Sequence, residues 1–181
     1  METPRQSPGE AFGGFRKRTH SVRSFSAGSW WFVRNLPRLW RATLGDGVDP
    51  RFREKLLLTV TAANECRYCV RAHTSLADAA GVDDETVARL LESDVDGAVP
   101  PAERPALLFA LRYAETDGAP DRELLAALED AHEPAVVTDI VALVRAMHFL
   151  NLLGNSVDVG LYAVERRIRR GLRRARASCP V

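Results

Sequence analysis

Cysteine is scarce in this 181-residue chain, three in all, too few and too unevenly spaced for a disulfide framework. Lysine is scarcer still, occurring only at Lys17 and Lys55. Nearly all positive charge is therefore arginine, as the codon bias of a GC-rich genome would give. No uninterrupted apolar run of 18 residues appears. The nearest, Val136 to Leu153, is broken by Asp139, Arg145, His148 and Asn151, so no membrane span is expected. The first 28 residues lack the apolar core of about 7–15 residues that a secretory signal needs. Strand-like alternation never lasts more than a few residues, which leaves helices as the fold class.

Acids are absent between Ala11 and Gly45, and the charge is unevenly placed. Residues 1–45 carry eight Lys/Arg against two acids, and residues 165–181 carry seven Arg against one Glu. The stretch between has ten basic and twenty-one acidic residues. Basic ends on an acidic body read as solvated tails, or as segments docked on the body or a neighbouring subunit, and nucleic-acid binding is not expected. The organisation expected is a flexible basic arm over 1–28, a helical domain over 29–164 and a basic tail over 165–181. Trp30, Trp31, Phe32, Leu36, Leu39 and Trp40 predict an amphipathic helix interrupted near Pro37. Helices follow over Arg51 to Asn64, from Glu65 or Cys66 to Gly81, and over Glu85 to Glu92 behind an Asp83 or Asp84 cap. Others are expected over Ala106 to Glu115, Arg122 to Ala131 and Ala135 to Leu153, the last apolar on most sides. The fold class is all-α, a compact bundle.

Cys66 and Cys69 stand three residues apart, and His73 follows one helical turn later. On a helix, positions i, i+3 and i+7 share a face, so the three side chains should project together. The thiolate is the reactive form. A nearby imidazole or a helix N-terminus can draw a thiol pKa from ~8.5 toward ~3.5–7.5. The pattern reads as a redox dithiol with its own base. Covalent haem attachment would need His directly after Cys69, and position 70 is Val. Structural zinc would take Cys66, Cys69 and His73 and need a fourth ligand. No second C-x-x-C or H-x-x-x-H follows, and Cys179 lies in the far tail, so no metal is expected. The plainest alternative makes both cysteines small core hydrophobes.

The segment Glu54 to Leu91, with E-x11-C-x-x-C-x-x-x-H set in Ala- and Leu-rich helices, resembles the AhpD-like alkylhydroperoxidases of the carboxymuconolactone decarboxylase superfamily. The resemblance implies an all-helical AhpD-like subunit, assembled into trimers or multiples of them, that reduces peroxides through its cysteine pair without a bound cofactor. It also implies that Glu54, Cys66, Cys69 and His73 occupy the proton-relay and dithiol positions. The peroxidase branch has a histidine between the cysteines; Arg67 and Tyr68 fill that gap here. The decarboxylase branch lacks the pair, so decarboxylation is not expected. The partners expected are a peroxide substrate and an external dithiol, thioredoxin-like or lipoyl, in a reducing, cytoplasmic compartment.

Spacing to His73 favours Cys69 as the attacking thiol, with Glu54 orienting His73 and Cys66 closing the disulfide, and it leaves the reverse assignment of the two cysteines open. Cys66, nearer the helix start, is expected to be the more exposed and to meet the reductant. Tyr68 reads as a packing residue beside the site. His148, Asn151 and Asn155 share one face of the last helix and could line the pocket opposite Cys69. They could equally be polar groups satisfied at a helix end or subunit contact. Two further functions use the same residues: a disulfide oxidoreductase without a peroxide substrate, and a non-catalytic oligomeric binding protein.

Overall fold

The computed structural model describes residues 17–177 except position 46, with side chains as far as Arg169. Residues 1–16 and 178–181 lie outside the described residues, and with them most of the expected arm, the end of the tail and Cys179. Among the described residues there are eight helices and no strand. They are α1 (Val22–Leu44), α2 (Pro50–Asn64), α3 (Arg67–Ala79), α4 (Asp84–Leu91), α5 (Val95–Ala98), α6 (Arg104–Glu115), α7 (Arg122–Ala131) and α8 (Pro134–Ala177). The chain is all-α.

Helix α2 is central because it is buried nearly all round: Leu56, Leu57, Leu58, Thr59, Val60 and Thr61 are all inside. One neighbour cannot cover such a helix, and α3, α4, α6 and α8 all pack on it. Each fully buried leucine contributes roughly 1.5–3 kcal/mol. Asp49 starts α2 by accepting from the N–H groups of Arg51 and Phe52, with Pro50 at the first helical position. Glu65 ends it in the left-handed region, φ 52°, which turns the chain into α3.

Along α8 lies α1, whose Leu39 packs with Ala142 and Ala146 beside Trp31 and Phe32. A Cβ on Gly28 would stand 2.5 Å from Phe149 Cδ2, so the two helices meet there only because residue 28 has no side chain. Pro37 does not interrupt α1 as expected. It is exposed, and the helical bond it forfeits falls on the solvent side. The helix also begins earlier than expected, at Val22, inside the segment read as a flexible arm. Ser21 and Ser24 form a reciprocal capping box that supplies the start signal.

Helix α8 runs far past the expected end at Leu153, through the expected tail to Ala177. By length and composition it could cross a membrane, but 61% of its most apolar window is buried inside the fold. Val137, Ile140, Leu143, Val144 and Met147 join the main core. The distal part leaves the body, and Leu161, Tyr162, Val164 and Ile168 are exposed there.

Candidate active site

Cys66 is not on the helix face predicted for it. It is the N-cap of α3, φ −81° and ψ 97°, with no side-chain cap bond. The N–H groups of Tyr68 and Cys69 in the first turn still act on its sulfur electrostatically. The neighbouring Cys69 thiol favours the Cys66 thiolate most, and the backbone N–H groups of Cys69 and Tyr68 and the charge of Lys17 add to this. Together they outweigh burial and pull the Cys66 thiol from 9.0 down to about 6. Cys69 moves the other way. The neighbouring Cys66 sulfur favours its protonated form, burial and the Cys66 charge raise it further, and the Asn151 amide opposes them. The two thiols are coupled, and Cys66 is the more acidic of them.

Exposure corrects a second expectation. Cys66 is fully buried, and it is Cys69 that is partly open to solvent. The cause is Gly154 of α8, which lies directly over the pair. A Cβ there would stand 2.8 Å from Cys66 Sγ and 3.9 Å from both Cys69 Sγ and Tyr68 Cδ2.

One turn further along α3, His73 Nδ1 lies 2.8 Å from Glu54 Oε2 of α2. Glu54 is almost wholly buried, and Arg53 Nε donates to its other oxygen at 3.3 Å. With Nδ1 engaged by the carboxylate, Nε2 is the ring nitrogen left to take a proton. Among the described residues no hydrogen bond joins His73 to either sulfur, and no three His, Cys, Asp or Glu side chains gather as metal ligands would.

Three buried polar residues of α8 face the C-terminal end of α2. Asn151 donates to Thr61 Oγ1 at 3.4 Å, and Asn155 donates to Asn64 O at 2.7 Å. His148 does not reach the sulfurs. Its Nδ1 meets Asn64 Nδ2 at 3.1 Å and its Nε2 meets Asp117 Oδ1 at 2.9 Å. Burial lowers the His148 pKa despite Asp117, so the ring is neutral near pH 7. Beside Asp117 opens a cavity of about 400 Å³, lined by Lys17, Arg18, Thr19, Asp117 and Leu152. Neither sulfur lines it.

Tyr68 is 43% exposed. Arg67 stacks over its ring at 4.8 Å and donates to its hydroxyl at 2.8 Å. Asp158 ties this group to α8 by pairing with both Arg67 and Lys17. Burial raises the Asp158 pKa, but Lys17, Arg67 and Tyr68 outweigh it and hold the carboxyl below its ordinary value.

Residues 32–116 match the family model described as Carboxymuconolactone decarboxylase family. The match spans 85 of the 181 residues, and over them the chain is similar to that family. The match includes Glu54, Cys66, Cys69 and His73, and it meets the expectation of a member of the superfamily that contains the AhpD-like proteins. It ends before α7 and α8, so the Asn151 and Gly154 side of the site lies beyond it. No curated protein and no solved structure matches the chain.

The sequence reading singled out neither Gly154, Asp117 nor Asp158, and it gave Asn64 only a place on a helix face. Gly154 did carry a signal, since a glycine inside an apolar helix marks a close approach of something. Asp117 and Asp158 carried none; they join the site only through the packing of α6 and α8 around α2.

Proposed function

We propose that this protein is a thiol peroxidase that reduces hydroperoxides through a Cys66–Cys69 dithiol, with Glu54 and His73 handling the proton. The observation that carries this reading is the division of labour between the sulfurs. One is buried and acidified at a helix N-terminus, and the other is partly exposed beside it. Packing cysteines would have no use for such an arrangement, and the cysteine pair also weighs against decarboxylation within the family.

Peroxide meets the open sulfur, Cys69. The Cys69 proton passes to the neighbouring Cys66 thiolate, and Cys69 Sγ, now the thiolate, attacks the O–O bond. The O–O bond breaks, Cys69 becomes a sulfenic acid, and the departing alkoxide takes a proton from His73 or water to leave as alcohol. Cys66, acidic in its place, loses its proton again and attacks Cys69 Sγ; the S–S bond forms and hydroxide leaves as water. An external dithiol then attacks Cys69 and expels Cys66, since the thiol of lower pKa is the better leaving group. Its second thiol completes the exchange. Hydroperoxide and dithiol become alcohol, water and disulfide. The reductant, a thioredoxin-like or lipoyl protein in a reducing cytoplasm, thus lands on Cys69 and not on Cys66, the reverse of what sequence position suggested.

The subunit is proposed to assemble as a homotrimer or a multiple of three. A second copy has apolar surface to cover on the outer stripe of α1, where Trp30, Val33, Leu36, Trp40 and Leu44 are exposed, and on distal α8. Steady-state consumption of cumene hydroperoxide with a dithiol donor tests the function. Turnover that vanishes in Cys69→Ser is the expected result; unchanged turnover in that variant, or none in wild type, rejects it.

A further inference from the structure

We propose that Arg53 is a positioning residue for the proton relay, offsetting the buried Glu54 carboxylate so that His73 stays free to take up and release a proton. The two carboxylate oxygens are divided between two partners. His73 Nδ1 donates to Oε2 at 2.8 Å, and Arg53 Nε donates to Oε1 at 3.3 Å. Arg53 is itself held from behind, its Nη1 donating at 2.6 Å to the carbonyl of Thr43 in the last turn of α1. The last carbonyls of a helix have no partner within it, and the negative end of its dipole favours a cation there. The guanidinium fork thus spans from the C-terminus of α1 to the carboxylate on α2. All three side chains are enclosed, Glu54 at 5% exposure and Arg53 and His73 at 15% each. Among the described residues no other hydrogen bond or ion pair reaches Glu54 or His73. The next cation along α2, Lys55, is taken by Glu103 at 2.8 Å.

The count of charges decides what His73 can do. A carboxylate withdrawn from water has to be offset by a positive group. Arg53 stays protonated at any ordinary pH, so with it in place Glu54 is offset while the His73 ring is neutral. The ring can then accept a proton at Nε2 and hand it on. Without Arg53, the only positive charge left to Glu54 is the proton it shares with His73. The pair then holds that proton more tightly, whichever of the two residues carries it. A carrier whose proton is locked in place as a counter-charge neither accepts nor donates at neutral pH. Through the Thr43 carbonyl, α1 helps to hold this arrangement, although the relay itself lies on α2 and α3.

This inference rests on Glu54 and His73 being the relay proposed above, and its test uses no peroxide, so the two readings can fail separately. In the reduced full chain, the ring signals of the four histidines are followed by proton NMR against pH, with His73 assigned by its loss in His73→Ala. In Arg53→Gln the His73 midpoint rises above that of the parent by about one pH unit or more, as removal of a neighbouring charge gives. Arg53→Lys keeps the charge and loses only the fork, and its midpoint stays close to the parent's. An unchanged or lower midpoint in Arg53→Gln overturns the proposal. An Arg53→Lys midpoint displaced as far as that of Arg53→Gln overturns it too, because a merely structural role would move both alike. Should Arg53→Gln fail to fold, adding Glu54→Gln decides. Removing the uncompensated carboxylate then restores the fold, and a double variant no better folded than the single one overturns the proposal.

Discussion

At the scale of single residues, the two sulfurs differ because only one caps a helix. Cys66 collects the N–H groups of Tyr68 and Cys69 together with the Cys69 thiol, and these overcome the burial that would otherwise raise its pKa. Rapid alkylation of the reduced, unfolded chain sets in near the ordinary thiol value of ~8.5. In the folded protein, loss of the first thiol proton, followed by ultraviolet thiolate absorbance, is expected with a midpoint at about 6. The sign for stability follows. A group whose folded pKa is depressed holds fewer protons when folded, so the reduced protein gains stability as pH rises from about 6 toward 9 and loses it on the way down. Buried, neutral His148 acts in the same sense below the ordinary histidine value, because acid must charge it. Urea midpoints of the reduced protein between pH 5 and 9 check both. For the relay, Glu54→Gln and His73→Ala are expected to slow peroxide turnover by ~10²-fold or more, as loss of a positioned proton carrier does. His73→Ala is the more destabilising of the two, since it leaves the Glu54 carboxylate buried with only Arg53 beside it. Turnover equal to wild type in both variants would remove the relay. The identities of Glu54, Cys66, Cys69 and His73 were legible because one motif holds them all within twenty residues. Which cysteine is exposed was not, because the covering residue comes from a helix far along the chain.

Elements ending on strong local signals were readable from the sequence. Helix α7 has the bounds its cap and breakers predict, and α4 begins behind Asp83, whose carboxylate accepts from Thr86 N–H. The end of α8 was not readable, because its apolar periodicity fades where the helix leaves the body while nothing in the sequence stops it. Gly154 shows how local and tertiary meanings diverge. By propensity alone, Gly154→Ala inside a helix stabilises by about 1 kcal/mol. Here the added methyl would stand 2.8 Å from Cys66 Sγ, and overpacking typically costs 1–3 kcal/mol. The clash should win. Gly154→Ala is expected to lower the thermal midpoint of the reduced protein and to slow disulfide closure; a raised midpoint with normal closure would show that α8 does not press on the thiols. Gly160, with nothing within 4 Å of its would-be Cβ, is the control, and Gly160→Ala should stabilise.

For the whole molecule, the surface divides into a body that closes its own core and two helices that leave apolar residues outside. An apolar excess such as that of Ala135 to Leu153 is more than a small monomer covers easily, and by itself it argues for a partner. The structure covers that stretch largely from within, with α1, α2, α6 and α7. What remains outside is the α1 stripe, with Trp30 at 65% and Trp40 at 70% exposure, and the distal part of α8. Light scattering at micromolar concentration should give a mass that is a multiple of the 20.0 kDa chain, and Trp30→Glu with Trp40→Glu should lower it. A mass of one chain in wild type would mean that the stripe serves no assembly. The helical class was legible because neither strand alternation nor a transmembrane run competes with it. The packing that brings Gly154 to the sulfurs and Asn64 to Asn151 was not, since it depends on how α2 and α8 cross.

The central claim is that Cys66 and Cys69 are one redox unit that spends its two electrons on a peroxide. Anaerobic addition of one equivalent of cumene hydroperoxide to the fully reduced protein tests this directly, with peroxide loss, free thiols and peptide mass read on the same sample. The account predicts that the peroxide disappears, that two thiols are lost, and that Cys66 and Cys69 are recovered in one disulfide-linked peptide lighter by two hydrogens. Peroxide left unconsumed, with both cysteines still open to alkylation, would contradict it.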